Sequence, residues 1–209
     1  MENFSQHYNI MILLGTDIEG RLIRLHDAAT GLREGKPLSE RVFSSFHTRM
    51  SCWPEPTVAT IGFFDGVHQG HQHLIATLCR LAHERKLQSL IVTFDNHPRS
   101  ILQPDRQPSL LSTLSEKFAL LSRTGVDLCL SLKFTPELAR LSAKEFMEIY
   151  LRQLMHVQLL LVGYNHHFGH DSEAGFSEYR QYGRTIGIDV VKDSLYEKGT
   201  ACISSSEVR

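Results

Sequence analysis

The chain is short of most features that force a specialised reading. Its 209 residues hold 4 cysteines, Cys52, Cys79, Cys129 and Cys202, with no Cys-x-x-Cys and no spacing that proposes a pair. A disulfide scaffold or a zinc ribbon is therefore not indicated, and reduced thiols are the reading. No sign of charge dominates: 22 Lys plus Arg against 23 Asp plus Glu leave a formal net charge of -1. There is also no basic block of the kind a nucleic-acid or membrane-surface partner requires. Long apolar runs are missing too, with nothing near the ~20 residues of a membrane span. The run Ile10 to Leu14 is too short for a signal-peptide core, and no basic residue precedes it. Internal repeats and low-complexity segments are not evident. A cytoplasmic protein with neither a nucleic-acid nor a membrane partner is the expectation.

What is present is an ordinary globular composition, 42% apolar and 22% charged, enough for one sizeable core. Residues 1 to 56 show weak periodicity and end in Trp53-Pro54-Glu55-Pro56, which favours extended backbone. They read as a lead of uncertain structure, with a domain over 57 to 209 whose core begins at Val58. From there short apolar runs alternate with amphipathic segments, the pattern of βαβ units. Strands are expected at Val58 to Phe64, Leu90 to Phe94, Leu128 to Phe134, Leu159 to Tyr164 and Ile188 to Val191. Helices are expected at Gly70 to Lys86, with Leu74, Leu78, Leu81 and Ala82 on one face, and at Gly175 to Gly187. Two further helices open at the capping boxes Thr113-x-x-Glu116 and Ser142-x-x-Glu145, the second burying Phe146, Ile149, Tyr150 and Leu154. The fold class is α/β, a Rossmann-like doubly wound parallel sheet in three layers.

The chemistry concentrates where the first strand meets the first helix, at Ile61-Gly62-Phe63-Phe64-Asp65-Gly66-Val67-His68-Gln69-Gly70-His71. Such junctions bind anions, because the N–H groups and the dipole of the helix face the ligand. Gly62 and Gly66 let backbone approach a ligand closely, and His68 and His71, three apart, can face one pocket and donate to phosphate oxygens. A junction can carry two histidines by chance, and zinc is a third option. Glycines before the pair and between its members, with an aspartate at the strand end, argue against chance, and the lack of a third ligand at usual spacing argues against zinc.

That string resembles the His-x-Gly-His nucleotidyltransferase motif in the form found in prokaryotic FAD synthetases, the bifunctional riboflavin kinase and FMN adenylyltransferase enzymes. Three more stretches are similar to motifs of that family in the same order. Val92-Thr93-Phe94-Asp95-Asn96-His97-Pro98-Arg99 resembles its Thr-Phe-Asp-x-His-Pro segment. Val162-Gly163-Tyr164-Asn165-His166-His167-Phe168-Gly169 resembles its Val-Gly-x-Asp-Phe-x-Phe-Gly segment. Ile203-Ser204-Ser205-Ser206-Glu207-Val208-Arg209 resembles its Ile-Ser-Ser-Thr-x-x-Arg segment.

The resemblance implies a nucleotidyltransferase-type Rossmann-like fold and transfer of AMP from ATP to FMN, giving FAD and pyrophosphate. It implies His68 and His71 on the ATP phosphates, with Arg209 completing the catalytic set. Gly62, Phe63, Phe64, Asp65, Gly66, Gly70 and Ser204, Ser205 and Ser206 would shape the ATP site. It places flavin contacts at Asn96, His97, Pro98 and Asn165, and brings Mg²⁺ in on ATP without a direct protein metal site. His166 and His167 stand where Phe and Arg are more usual, and the expectation for them is solvated or partly stacked side chains in a polar loop. Family members continue past the serine-rich motif into a riboflavin kinase domain, so a chain ending at Arg209 is expected to be a fragment of weak or no turnover. The alternatives are a noncatalytic flavin- or nucleotide-binding module, or a related transferase with another phosphate acceptor.

Overall fold

The structure, a computed structural model, describes residues 11–16, 22–27, 55–102, 109–163, 166–170 and 175–193. Seven strands form one sheet: β1 (Ile12–Thr16), β2 (Leu22–Asp27), β3 (Thr57–Ile61), β4 (Gln88–Phe94), β5 (Leu128–Leu132), β6 (Val157–Val162) and β7 (Asp189–Lys192). Their order across the sheet is β2-β1-β5-β4-β3-β6-β7. All neighbours pair in parallel except β1 and β2, which are antiparallel. The five strands expected from Val58 onward are present with ends shifted by up to three residues, and in chain order they lie 3-2-1-4-5 across the sheet. This is the doubly wound arrangement.

The sheet reaches further than Val58. β1 joins the edge beside β5, and Met11 and Leu14 are fully buried. Part of the stretch 1 to 56 thus belongs to the sheet. Its alternation is too short to rise above the scattered charges around it, and pairing with β5 supplies what local pattern does not.

β3 and β5 are buried at every position, as expected of strands covered on both faces. One face packs Val58, Ile91, Cys129 and Leu161 against α1 (Gln69–Arg85), through Ile75, Leu78 and Ala82. The helix α2 (Arg99–Leu102) follows β4, and α3 (Leu114–Leu121) joins α1 on this face through Phe118 and Leu121. After the short α4 (Pro136–Ala139), α5 (Ala143–Phe146) continues as a π-helical stretch over Met147–Leu154. With α6 (Phe176–Ile186) it covers the other face, over Ala59, Val92, Leu130 and Leu160.

Both capping boxes form. Thr113 Oγ1 accepts from Glu116 N at 3.3 Å while Glu116 Oε2 accepts from Thr113 N at 2.8 Å. Ser142 and Glu145 repeat the exchange at 3.2 and 2.8 Å. The burial expected for the second helix is corrected at Ile149, which is 42% exposed, whereas Met147 and Leu151 are fully buried. A π-helix holds more residues per turn than the 3.6 assumed in placing that face, so the buried stripe shifts in phase.

Candidate functional site

In this strand order the chain goes from β3 to one side and reaches β6 on the other, so a crevice opens beyond the carboxyl ends of β3 and β6. The turn from 62 to 68 and the residues from Gly163 onward border it. The turn is backbone under strain. Phe64 and Val67 have φ of 55° and 41°, values that non-glycine residues rarely adopt, and Gly66 has φ 64°. At Gly66 a Cβ would also lie 3.0 Å from Leu111 Cβ.

Asp65 holds the turn in this shape. Its side chain is buried, and Oδ1 accepts from Leu111 N at 3.0 Å, Ser112 N at 3.1 Å and Ser112 Oγ at 3.2 Å. Gly66 N donates to the same Ser112 hydroxyl at 3.0 Å. Asp65 is expected to shape the nucleotide pocket, and its carboxylate ties the turn to the loop before α3 by giving three donors there an acceptor. Phe64, expected in the same pocket, is only 1% exposed and packs into the core, with its ring edge-on to His71 at 5.1 Å.

His68 caps the start of α1 with extended backbone and no side-chain capping bond, and the first turn carries no acidic residue. The N–H groups opening a 17-residue helix are thus left to face the crevice. The rings of His68 and His71 stack with centroids 3.6 Å apart, so the expected pair does converge. Burial pushes both below the ordinary imidazole range, with Asp65 opposing it. His71 is pushed to about 3, with His68 and His166 adding to the effect. Near neutral pH it is an uncharged ring that hydrogen-bonds by one N–H.

Beside the turn, Phe63 lies edge-on to His97 at 4.6 Å. His97 Nδ1 accepts from Arg99 N at 3.1 Å, and Pro98 leads into α2, its carbonyl accepting from Leu102 N at 3.1 Å. The Asn96 amide spans to the end of β5, with Nδ2 donating to Phe134 O at 3.0 Å and Oδ1 accepting from Phe134 N at 2.8 Å. Asn96 therefore works as a clamp beyond the ends of β4 and β5, while the rings of His97 and Phe63 meet edge-on beside the turn. Asn165, Ser204, Ser205, Ser206 and Arg209 lie outside the described residues.

One residue near the site carries no expectation from the sequence. Lys117 on α3 is 2% exposed, and its Nζ donates to Phe94 O at 2.6 Å and Phe63 O at 3.2 Å. The ammonium also sits 4.1 Å from the centre of the Phe63 ring, which a cation stabilises. Burial lowers its pKa to about 8, opposed by Cys129, Asp65 and Asp95. The signal was in the spacing, because Lys117 falls on the stripe of Leu114 and Leu121 in a capped helix. His166, expected as a solvated or partly stacked ring, lies just beyond β6. Its burial lowers its pKa to about 4, with His167 adding to the effect. The expectation of a stacked ring holds, since His166 lies 5.9 Å from Phe168, while its exposed neighbour His167 fits the solvated alternative. Among the described residues no group of three or more His, Cys, Asp or Glu is arranged to hold a metal ion, and no helix is long and apolar enough to cross a membrane.

Comparison with known proteins gives this site its context. The family model described as FAD synthetase matches residues 51–207. A bifunctional riboflavin kinase/FMN adenylyltransferase of Pseudomonas fluorescens is 38% identical over 152 residues, covering 73% of this chain and 49% of the relative. The protein of that description from Escherichia coli (strain K12) is 31% identical over 169 residues, covering 81% of this chain and 54% of the relative. The chain thus spans about half the length of the curated relatives it matches. A solved structure described as a macrolide-efflux protein from Streptococcus pneumoniae matches with a TM-score of 0.65 at 27% identity, covering 75% of this chain and 59% of that one. With a family match that takes in the glycine turn, the paired imidazoles and every strand from β3 to β7, the chain belongs to the FAD synthetase family.

Proposed function

We propose that this chain is an FMN adenylyltransferase, which joins the phosphate of FMN to the AMP part of ATP and releases pyrophosphate. The observation that carries the reading is the stacked pair His68 and His71 at the uncapped start of α1, beside the crevice between β3 and β6. The FMN phosphate, with a second pKa of about 6, is largely dianionic at neutral pH and attacks the α-phosphorus without a protein nucleophile. Catalysis then rests on alignment and on donors aimed at the charge that develops on the phosphoryl oxygens. His71 and His68 supply such donors, and the N–H groups opening α1 add a fixed partial positive charge.

In this reading Arg209 forks onto the β and γ phosphates, and Ser204, Ser205 and Ser206 donate to them. Asn165 contacts flavin or phosphate, and the wall of Phe63, His97 and Pro98 lies on the flavin side. Mg²⁺ enters bound to ATP, held by phosphate oxygens and water, as the hard cation prefers. The near-neutral net charge favours small-molecule partners over nucleic acid, and the cytoplasm is where both substrates are met.

The test is direct. Incubation of the protein extended past Arg209 to the length of its relatives with ATP, Mg²⁺ and FMN, followed by chromatography of the flavins, should yield FAD, and His71→Ala should lower its formation about 100-fold by loss of a preorganised donor. Binding of FMN and ATP without FAD would point to a noncatalytic module. Failure to bind ATP at all sinks the reading.

A further inference from the structure

His71 Nδ1 and His166 Nε2 are both shut off from solvent, and neither has a hydrogen-bond partner among the described residues. His71 belongs to the motif at the start of α1. His166 comes from the other side of the crevice, and the motif it stands in more usually has Phe there. A phenyl ring could stack on Phe168 equally well at no polar cost. An imidazole nitrogen left unsatisfied in the same place costs about 1–3 kcal/mol. A nitrogen so placed calls for a partner that the described residues do not supply.

The ring is also held in place. His166 N donates to Gly163 O at 3.3 Å, which folds the chain back just beyond β6. A Cβ built on Gly163 would lie 3.6 Å from Leu74 Cδ2 on α1 and 3.9 Å from His166 Cβ, so this segment sits against the first turns of α1. Phe168, on which His166 stacks, lies against Tyr179 at 4.3 Å with the rings 16° apart. The Tyr179 hydroxyl accepts from Phe168 N at 3.0 Å and donates to Phe168 O at 3.1 Å. Tyr179 is fully buried on α6, so the support for the imidazole runs back to a rigid helix. His166 lies within electrostatic reach of His71, which sits beside His68.

We propose that His166 is a third phosphate-binding imidazole, donating from Nε2–H to a phosphate oxygen of a nucleoside triphosphate lodged between the start of α1 and the end of β6. This rests on the nucleotide-binding reading above. It adds a contact from the far wall of the crevice, so that the polyphosphate is gripped from β3 and β6 together. A hydrogen bond to a charged acceptor contributes more than a neutral one, enough to be read as affinity.

Calorimetric titration of the chain with MgATP and with inorganic tripolyphosphate tests it, using the native protein, His166→Phe and His166→Gln. His166→Phe should weaken both ligands about tenfold or more. His166→Gln, whose amide N–H reaches a similar point, should recover most of that affinity. Melting temperatures guard against unfolding, and His166→Gln carries the test if the Phe variant does not fold, since it should then bind within a few-fold of native while His166→Ala does not. If His166→Phe binds both ligands as the native chain does, the proposed contact is overturned and the nucleotide-binding reading stands. Weakening of ATP alone, with tripolyphosphate unaffected, assigns His166 to the nucleoside and also overturns it. If the native chain binds neither ligand, the functional reading and this contact fall together.

Discussion

Asp65 and Lys117 show how a charged side chain can act through backbone groups that no local pattern joins to it. Both are charged and buried, and both hold backbone groups at strand ends or loops around the turn. Removing the Asp65 carboxylate leaves Leu111 N and Ser112 N without their acceptor. Asp65→Ala should therefore destabilise the chain by about 2–4 kcal/mol, read as a lower urea midpoint with an unchanged slope. A midpoint equal to that of the native protein would show that the loop at 111 and 112 finds other partners. The motif identified Asp65 as part of a ligand turn, yet its partners lie 46 and 47 residues away, and no local pattern joins them. The histidine pair was legible because both rings sit on one short turn, where spacing alone brings them together.

Elements whose ends are written in local chemistry were read well, and those set by tertiary fit were not. The helix from Gly175 to Gly187 has both glycines at its caps, with Gly187 at φ 74° closing it. The two Ser or Thr boxes also begin their helices where expected. The π-helical turn over Met147–Leu154 has no comparable signature in composition, so the face it buries was misjudged at Ile149. Gly183 is a second case: inside a helix it reads as a mere weakness, worth about 1 kcal/mol against Ala. In the structure a Cβ there would clash with Ile188 O and lie 2.8 Å from Val190 Cγ2, so α6 can rest against the start of β7 only with hydrogen at that position. Gly183→Ala should force α6 outward, costing about 1–3 kcal/mol and lowering the melting temperature by about 3–10 °C. A variant that melts at or above the native temperature would mean that α6 shifts freely.

At the scale of the whole molecule, strand order brings together what the sequence keeps apart. The sequence indicated five strands and a phosphate-binding turn, but the pairing of β3 with β6 is what sets His166 opposite His68 and His71. Crowding these rings at one crevice has a consequence for stability. Burial lowers His71 to about 3 and His166 to about 4, while the unfolded rings titrate near 6.5. Below pH 6.5 the unfolded chain takes up protons that the folded chain refuses, so this stability is complete above pH 6.5 and is lost as pH falls toward the folded values. Between pH 7 and pH 5 each ring should account for a loss of about 2 kcal/mol. Glu116 and Glu145 are held below the ordinary carboxylate range by backbone hydrogen bonds, and Glu178 by Ser177, so their losses fall at lower pH, while His68, lowered by burial, acts in the same sense as the two rings and Asp95, raised by burial, in the opposite sense. Urea denaturation at pH 7 and pH 5 should show a drop of about 4 kcal/mol from the two rings in the native chain, and a drop smaller by about 2 kcal/mol in His166→Phe. An equal drop in both proteins would mean that His166 titrates as an exposed ring, and the enclosed crevice would have to be redrawn.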